Sequence, residues 1–155
     1  MPSKTIHPYT YKEAMVLLDT KAPNITLHGY SVSTKNPRYT LFRENNLCVE
    51  CGVEGHWMPL MTTDEDDRRK IAHFHLFSNP PEGQKPLYMS KDHIWPRSKN
   101  GPDAQWNYQT MCQKCQLKKA AGYPATTRFL HPHAQYTEEE KAAERFLESH
   151  FGKVE

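Results

Sequence analysis

Two pairs of cysteines, Cys48/Cys51 in "LCVECG" and Cys112/Cys115 in "MCQKCQ", are the residues of this sequence most plainly suited to chemistry. A CxxC turn lets two sulfurs converge on one ion, and two such turns complete the tetrahedral set that Zn2+ prefers. All four cysteines of the chain are used and none is left over. Closed by four thiolates, such a site has no open position, so its zinc is expected to be structural. The opening "MPSKTIHPYT" lacks the apolar core of a signal peptide, and no run of about 18 apolar residues exists to span a membrane. The expected setting is cytoplasmic, where paired cysteines serve as metal ligands more often than as disulfides.

The second candidate is Asp92-His93 in "DHIWPRSKNG". Hydrolysis of a phosphodiester needs an activated water and a cation for the charge that develops on the phosphate and the leaving oxygen. A histidine neutral near pH 7 suits the first task, and a carboxylate holding Mg2+ or a similar hard ion suits the second. At the end of a strand the two side chains can leave the backbone on opposite sides. The surroundings are basic: residues 91–128 carry a local charge of +5, including Arg97, Lys99, Lys118 and Lys119, in a chain of net +2. That concentration points to a polyanion partner. The acidic stretches, 50–82 and the tail from 137, read as solvated faces.

These residues need elements to position them. With 37% hydrophobic residues and twelve prolines in 155, the core is expected to be thin and to gain from a metal cross-link. Residues 9–19 form a helical pattern with Thr10 as N-cap. "NITLHGYSVST" and "RYTLFRE" read as two strands joined through "KNP". "TTDEDDRRK" reads as an exposed loop, "IAHFHLFS" as one strand, and "LYMSKDHI" as a strand that ends at the Asp-His pair. "PRSKNGPDAQWN" is a loop punctuated by Asn-Gly and Pro. "YQTMCQKCQLKKAAG" is a knuckle feeding a helix that stops at Gly122. Residues 123–136 have no period and are expected to cross the surface. A last helix begins at a Thr137/Glu140 capping box, presents Ala143, Phe146 and Leu147, and ends at Gly152. His56, His73, His75, His131 and His133 have no carboxylate or cysteine at useful spacing and read as ordinary histidines.

The ordered series Asp92, His93, Pro96, Ser98, Gly101, Asn107, Cys112, Cys115, Lys118, Lys119 resembles the core of the HNH endonucleases, a branch of the His-Me finger (ββα-metal) nucleases. "LCVECG" is similar to the knuckle that precedes this core in many phage-borne members, and the resemblance covers residues 47–120. It implies an α+β fold with a small zinc-braced, treble-clef-like ββα-metal core. It also implies residue roles: His93 as general base, Asp92 as ligand of one catalytic divalent ion, and Asn107 as the residue that holds the loop and orients the imidazole. Where the family usually has His or Asn as the other metal ligand, this chain has Gln116. The extra methylene of glutamine displaces the ligating oxygen, and Mg2+ tolerates little displacement.

The organisation expected is an N-terminal appendage of helix and strands over 1–46, a nuclease core with the four-cysteine zinc site over 47–122, and a C-terminal loop and helix over 123–155. The resemblance implies DNA, double-stranded, as the partner, with Arg97, Lys99, Lys118 and Lys119 on its phosphates and a homodimer as one route to cutting both strands. A zinc-braced module that binds DNA without cutting is the alternative that Gln116 leaves open. A zinc-stabilised factor that binds another protein is a more distant one.

Overall fold

The computed structural model describes residues 3–79 and 82–120. The elements are β1 (Ser3–His7), α1 (Tyr11–Leu18), β2 (Asn24–Leu27), β3 (Tyr30–Ser33), α2 (Pro37–Glu44), β4 (Gly55–Trp57), β5 (Leu60–Thr63), α3 (Asp64–Arg68), β6 (His73–Phe74), β7 (Leu76–Ser78), β8 (Tyr88–His93), β9 (Tyr108–Cys112) and α4 (Gln113–Ala120). The fold is α+β. The strands pair antiparallel into a sheet ordered β1-β5-β6, the hairpin β2-β3, and a four-stranded sheet ordered β4-β7-β8-β9. No helix among the described residues is long and apolar enough to cross a membrane.

Local chemistry explains where the strand and loop expectations fail. "RYTLFRE" is a helix, α2. It holds a single β-branched residue, Thr40, and Asn36 caps it by accepting from the Arg38 N–H at 3.0 Å, with Pro37 at the first helical position. Tyr39, Leu41 and Phe42 then turn inward. "NITLHGYSVST" is a complete hairpin: His28 and Gly29 both take positive φ, 51° and 82°, as a two-residue turn between right-twisted strands requires. "TTDEDDRRK" contains α3, where the Thr63 hydroxyl accepts from the Asp66 N–H and acids crowd the electropositive first turn. "IAHFHLFS" splits at His75, so that β6 joins one sheet and β7 the other.

Helix α1 has the Thr10 cap and a reciprocal bond from the Thr10 N–H to Glu13. Ala14, Met15 and Leu18 are its buried residues, while Val16 is exposed. These side chains join Val32, Tyr39, Phe42, Leu60, Phe74, Met89 and Met111 in one cluster, so residues from 1–46 and from 47–120 share a core. The expected helix stop at Gly122, the surface stretch 123–136 and the C-terminal helix lie outside the described residues.

The four-stranded sheet carries the candidate site residues of the β8–β9 hairpin. In the β8–β9 ladder Asp92 stands opposite Gln109 and His93 opposite Tyr108, while Met89 stands opposite Cys112. Helix α4 starts directly after β9, with Cys112 the last strand residue and Gln113 the first helical one.

Candidate metal centre and the His93 site

The chain around the first CxxC folds back on itself. The Cys48 N–H donates to Val53 O at 2.9 Å, and the Gly52 N–H donates to Cys48 O at 2.9 Å, with Gly52 at φ 77°. That positive φ is what glycine supplies cheaply. The knuckle is tied to β9 by the Val49 N–H on Thr110 O at 2.9 Å and by the Thr110 hydroxyl on Asn45 O at 2.6 Å. The second CxxC straddles the β9–α4 junction. As a result Cys48, Cys51, Cys112 and Cys115 bring their sulfurs within 4.8 Å of one another, three of them buried and Cys51 exposed.

The geometry suits a metal ion better than disulfides. Cys51 Sγ and Cys112 Sγ are 3.7 Å apart. Two sulfurs on a tetrahedral zinc with bonds of about 2.3 Å lie about 3.8 Å apart, whereas a disulfide needs about 2.05 Å. Burial works against a thiolate at Cys48, but the backbone N–H groups of Cys51, Cys112 and Glu50 together outweigh it and hold that thiol below its usual pKa. Burial pushes Cys112 and Cys115 up, and at Cys115 the neighbouring sulfurs push further in the same direction. A divalent cation would reverse that trend for all of them. The four cysteines can hold a metal ion such as zinc.

His93 ends β8 with its ring edge-on to that of Tyr108, centroids 5.2 Å apart. Its Nε2 is 2.7 Å from Asp103 Oδ1. Asp103 is held below the usual carboxylate range by that hydrogen bond first and by Arg97 nearby, whose Nη2 is 3.8 Å from the other oxygen. An ionised carboxylate only accepts, so Nε2 is the donor in this hydrogen bond. No motif in the sequence singles out Asp103. It lies ten positions after His93 inside a loop, and only the fold of that loop brings it back.

Asn107 determines that fold. Fully buried, it accepts from the Trp95 N–H at 2.8 Å and donates to Trp95 O at 3.0 Å and Pro102 O at 2.9 Å. Trp106 packs on buried Ile94 and Trp95 in a small apolar cluster inside the loop. Gly101 closes against this cluster so tightly that a Cβ there would lie 1.7 Å from Trp95 O. No family model, curated protein or solved structure matches the chain. Its functional reading therefore rests on this geometry and on the motif.

Asp92 turns the other way from His93, toward α4. Its Oδ2 accepts from Lys119 Nζ at 2.6 Å and from Gln109 Nε2 at 3.0 Å, and the same ammonium reaches His93 O at 2.7 Å. Gln116 Oε1 lies 3.0 Å from Ser90 Oγ and accepts from that hydroxyl. The two oxygens expected to share a divalent ion are thus each engaged by other donors. As they stand, Asp92 and Gln116 do not fit such an ion, because the Lys119 ammonium already supplies the positive charge at the carboxylate.

Of the expected phosphate contacts, Arg97 and Lys118 have exposed side chains, while Lys119 is half-buried on Asp92. Lys99 stands in the 3₁₀ turn Arg97–Lys99. The structure adds two cations, Lys91 on the His93 side of the hairpin and Arg38 near Lys91. Lys91 Nζ sits 4.0 Å above the Tyr108 ring. Burial and the nearby Arg38 and Arg97 hold its ammonium below the usual lysine range, with Asp103 opposing them. Arg38 enters from α2, and its Nε is buried with no hydrogen-bond partner among the described residues. A helical reading of "PRYTLFRE" would have been the signal for it.

Proposed function

We propose that the chain is a zinc-braced HNH-type endonuclease that hydrolyses DNA phosphodiester bonds by attack of a water activated at His93. The observation that carries the reading is the His93–Asp103 hydrogen bond, set at the mouth of a hairpin whose loop is pinned by buried Asn107. On this reading β8, β9 and α4 form the ββα-metal unit. Asp103 orients the imidazole and stabilises the charge it gains, while Nδ1 takes the proton from water. Lys91 and Arg97 lie on the His93 side, Arg38 comes near Lys91, and these cations would meet the phosphates of double-stranded DNA, setting affinity more than sequence choice. The zinc would hold the knuckle and α4 in place and take no part in the reaction.

Reactions of this class use a divalent ion, Mg2+ or a similar one, to stabilise charge on the phosphate and leaving oxygen. Asp92 and Gln116 are its proposed ligands, and in the arrangement described they do not offer it a site. One catalytic centre cuts one strand, so double-strand cleavage would take a homodimer or two nicks. A cytoplasmic setting in a bacterial host, for a phage-borne or mobile nuclease, belongs to the same proposal.

Incubating zinc-loaded protein with supercoiled plasmid in Mg2+ and in Mn2+, beside His93→Ala, tests it. Nicked or linear product that disappears with the variant is expected. Equal cutting by the variant would remove His93 from the mechanism. The Lys119 contact favours a second reading, a DNA-binding module that no longer cuts, for which intact plasmid under both ions and salt-sensitive DNA binding would be the result.

A further inference from the structure

The Asp92 carboxylate is almost buried and already has a cation. Lys119 Nζ is 2.6 Å from Oδ2, with only 21% of the lysine side chain and 11% of the aspartate side chain exposed. The ammonium also holds His93 O at 2.7 Å, and Gln109 supplies a further N–H to Oδ2. Lys119 therefore bridges the carboxylate and the strand end, and every contact is charge-assisted or made by a partly buried group. Ser90 holds Gln116 one turn earlier on the same face of α4. Together these bonds clamp α4 on β8.

We propose that Lys119 is the resident cation of Asp92, and that a divalent ion reaches this carboxylate only by displacing it. Two cations on one carboxylate oxygen repel each other strongly in a site of low solvent access. Removing the ammonium alone leaves an almost buried carboxylate without a counter-charge, which is costly and makes the site attractive to any small cation. The ion that Asp92 would bind and the Lys119 side chain are thus competitors. The inference rests on the nuclease reading only for the place where an ion belongs, and its test needs no cleavage.

The full zinc-loaded chain is titrated with Mn2+, and bound ion is read from the loss of the free-ion electron paramagnetic resonance signal. The proteins compared are the parent, Lys119→Met, Lys119→Arg and Lys119→Met/Asp92→Asn. Lys119→Met should bind Mn2+ about tenfold more tightly than the parent, as expected when a competing state is removed. Lys119→Arg, which keeps the charge, should behave like the parent, and adding Asp92→Asn should abolish the gain. Asp92-dependent binding in the parent that Lys119→Met leaves unchanged would overturn the proposal, and so would failure of both proteins to bind. Zinc content and thermal unfolding identify a variant that has lost its fold. In that case Lys119→Gln, shorter and neutral, takes its place with the same expected outcome. If the parent leaves plasmid intact while Lys119→Met gains the ion, the nuclease reading fails and Lys119 keeps its role. If the chain does cut DNA, Lys119→Met should do so at about tenfold lower Mn2+.

Discussion

The two candidate sites share the β9–α4 segment, yet they are electrically opposite. Four sulfurs converge at the cysteine cluster, and among the described residues no lysine or arginine is hydrogen-bonded to any of them. Burial therefore holds Cys112 and Cys115 in the thiol form. At the Asp92–His93 site each acid already has its cation or donor: Lys119 and Gln109 for Asp92, His93 and Arg97 for Asp103. The first arrangement makes physical sense with an ion added. The second is balanced before any ion arrives. Ligand-type residues close together are therefore a weaker sign of metal binding than ligand-type residues without counter-charges.

The comparison breaks most violently at the sulfurs. Chelation, or Cys112→Ser, should unfold the hairpin and α4, because Cys112 is fully buried at the end of β9 and its N–H donates to Cys48 Sγ of the knuckle at 3.3 Å. The free energy linked to structural zinc reaches about 10 kcal/mol or more in small domains, comparable to the whole stability of a domain this size. Zinc analysis should give one ion per chain, with the melting transition lost on chelation. A chelated protein with an unchanged melting temperature would show that the cysteines brace nothing. Chelation of the balanced site should change little.

Next in size is the pin under the His93 loop. Asn107→Ala leaves the Trp95 N–H, Trp95 O and Pro102 O without their partner in a buried place. Unsatisfied buried groups of this kind should lower stability by about 2–4 kcal/mol. Asn107→Asp sharpens the test. It preserves volume and the bond from the Trp95 N–H but sets a carboxylate against two carbonyl oxygens, so it should cost at least as much as alanine. Urea unfolding measures both. An aspartate variant as stable as the parent would mean that the side chain fills space and does not hold the loop by its amide.

The cysteine pairs are legible in the sequence because ligand type and spacing carry that information without the fold. The Thr10 N-cap is legible because its signal lies within a few residues of the helix start; the reciprocal Glu13 bond completes it as a capping box. Helix α2 escapes a reading that weighs an alternating pattern above Asn36-Pro37, whose capping geometry decides the element. The hairpin at His28-Gly29 escapes it because His-Gly is not one of the Asn-Gly, Asp-Gly or Gly-Gly pairs that mark a two-residue turn, although histidine tolerates positive φ better than most residues. Asp103 and Arg38 cannot be ranked from sequence: Asp103 reaches His93 by the return of a loop, and Arg38 comes near Lys91 by the docking of α2. Lys91 shares the His93 face by strand alternation, a local relation along β8. The role of Lys119 is equally hidden, since a lysine on a helix reads the same whether it faces phosphate or a buried carboxylate.

A milder effect lies outside both sites, at the junction between the sheets. Burial, with Arg38 and His73 beside it, lowers the pKa of His75 from 6.5 to about 4. Its Nδ1 lies 3.5 Å from the Tyr88 hydroxyl. A base whose pKa is lower in the folded state than in the unfolded state favours the fold when it is neutral. Stability from His75 is therefore complete above about pH 6.5, falls as the pH drops toward 4, and is lost below that. The full shift would correspond to more, but His75 retains some solvent contact, so the loss is on the order of 1–2 kcal/mol. His75→Gln cannot titrate and should unfold with a shallower pH dependence between 6.5 and 4. His73, also lowered by burial, leaves a residual slope in that variant. Parallel curves for parent and variant would show that His75 takes up its proton without disturbing the fold.

The smallest effect on stability should fall at Asp103. It is exposed, so Asp103→Ala should leave zinc content and melting temperature as they are. Its consequence would appear only in the reaction. Without the carboxylate the His93 ring loses the partner that accepts from its Nε2 and fixes its orientation. On the nuclease reading kcat should fall about tenfold or more with KM nearly unchanged, because orienting a base acts on the transition state and not on binding. Asp103→Asn separates orientation from charge: its amide oxygen still accepts from Nε2 but no longer balances the imidazolium that forms. Its rate should lie between those of the parent and the alanine variant. A variant that melts like the parent and also cuts like it would make the hydrogen bond incidental, and the reading would lose the observation that carries it. A variant that fails to fold would instead place Asp103 with Asn107, as part of the loop's frame.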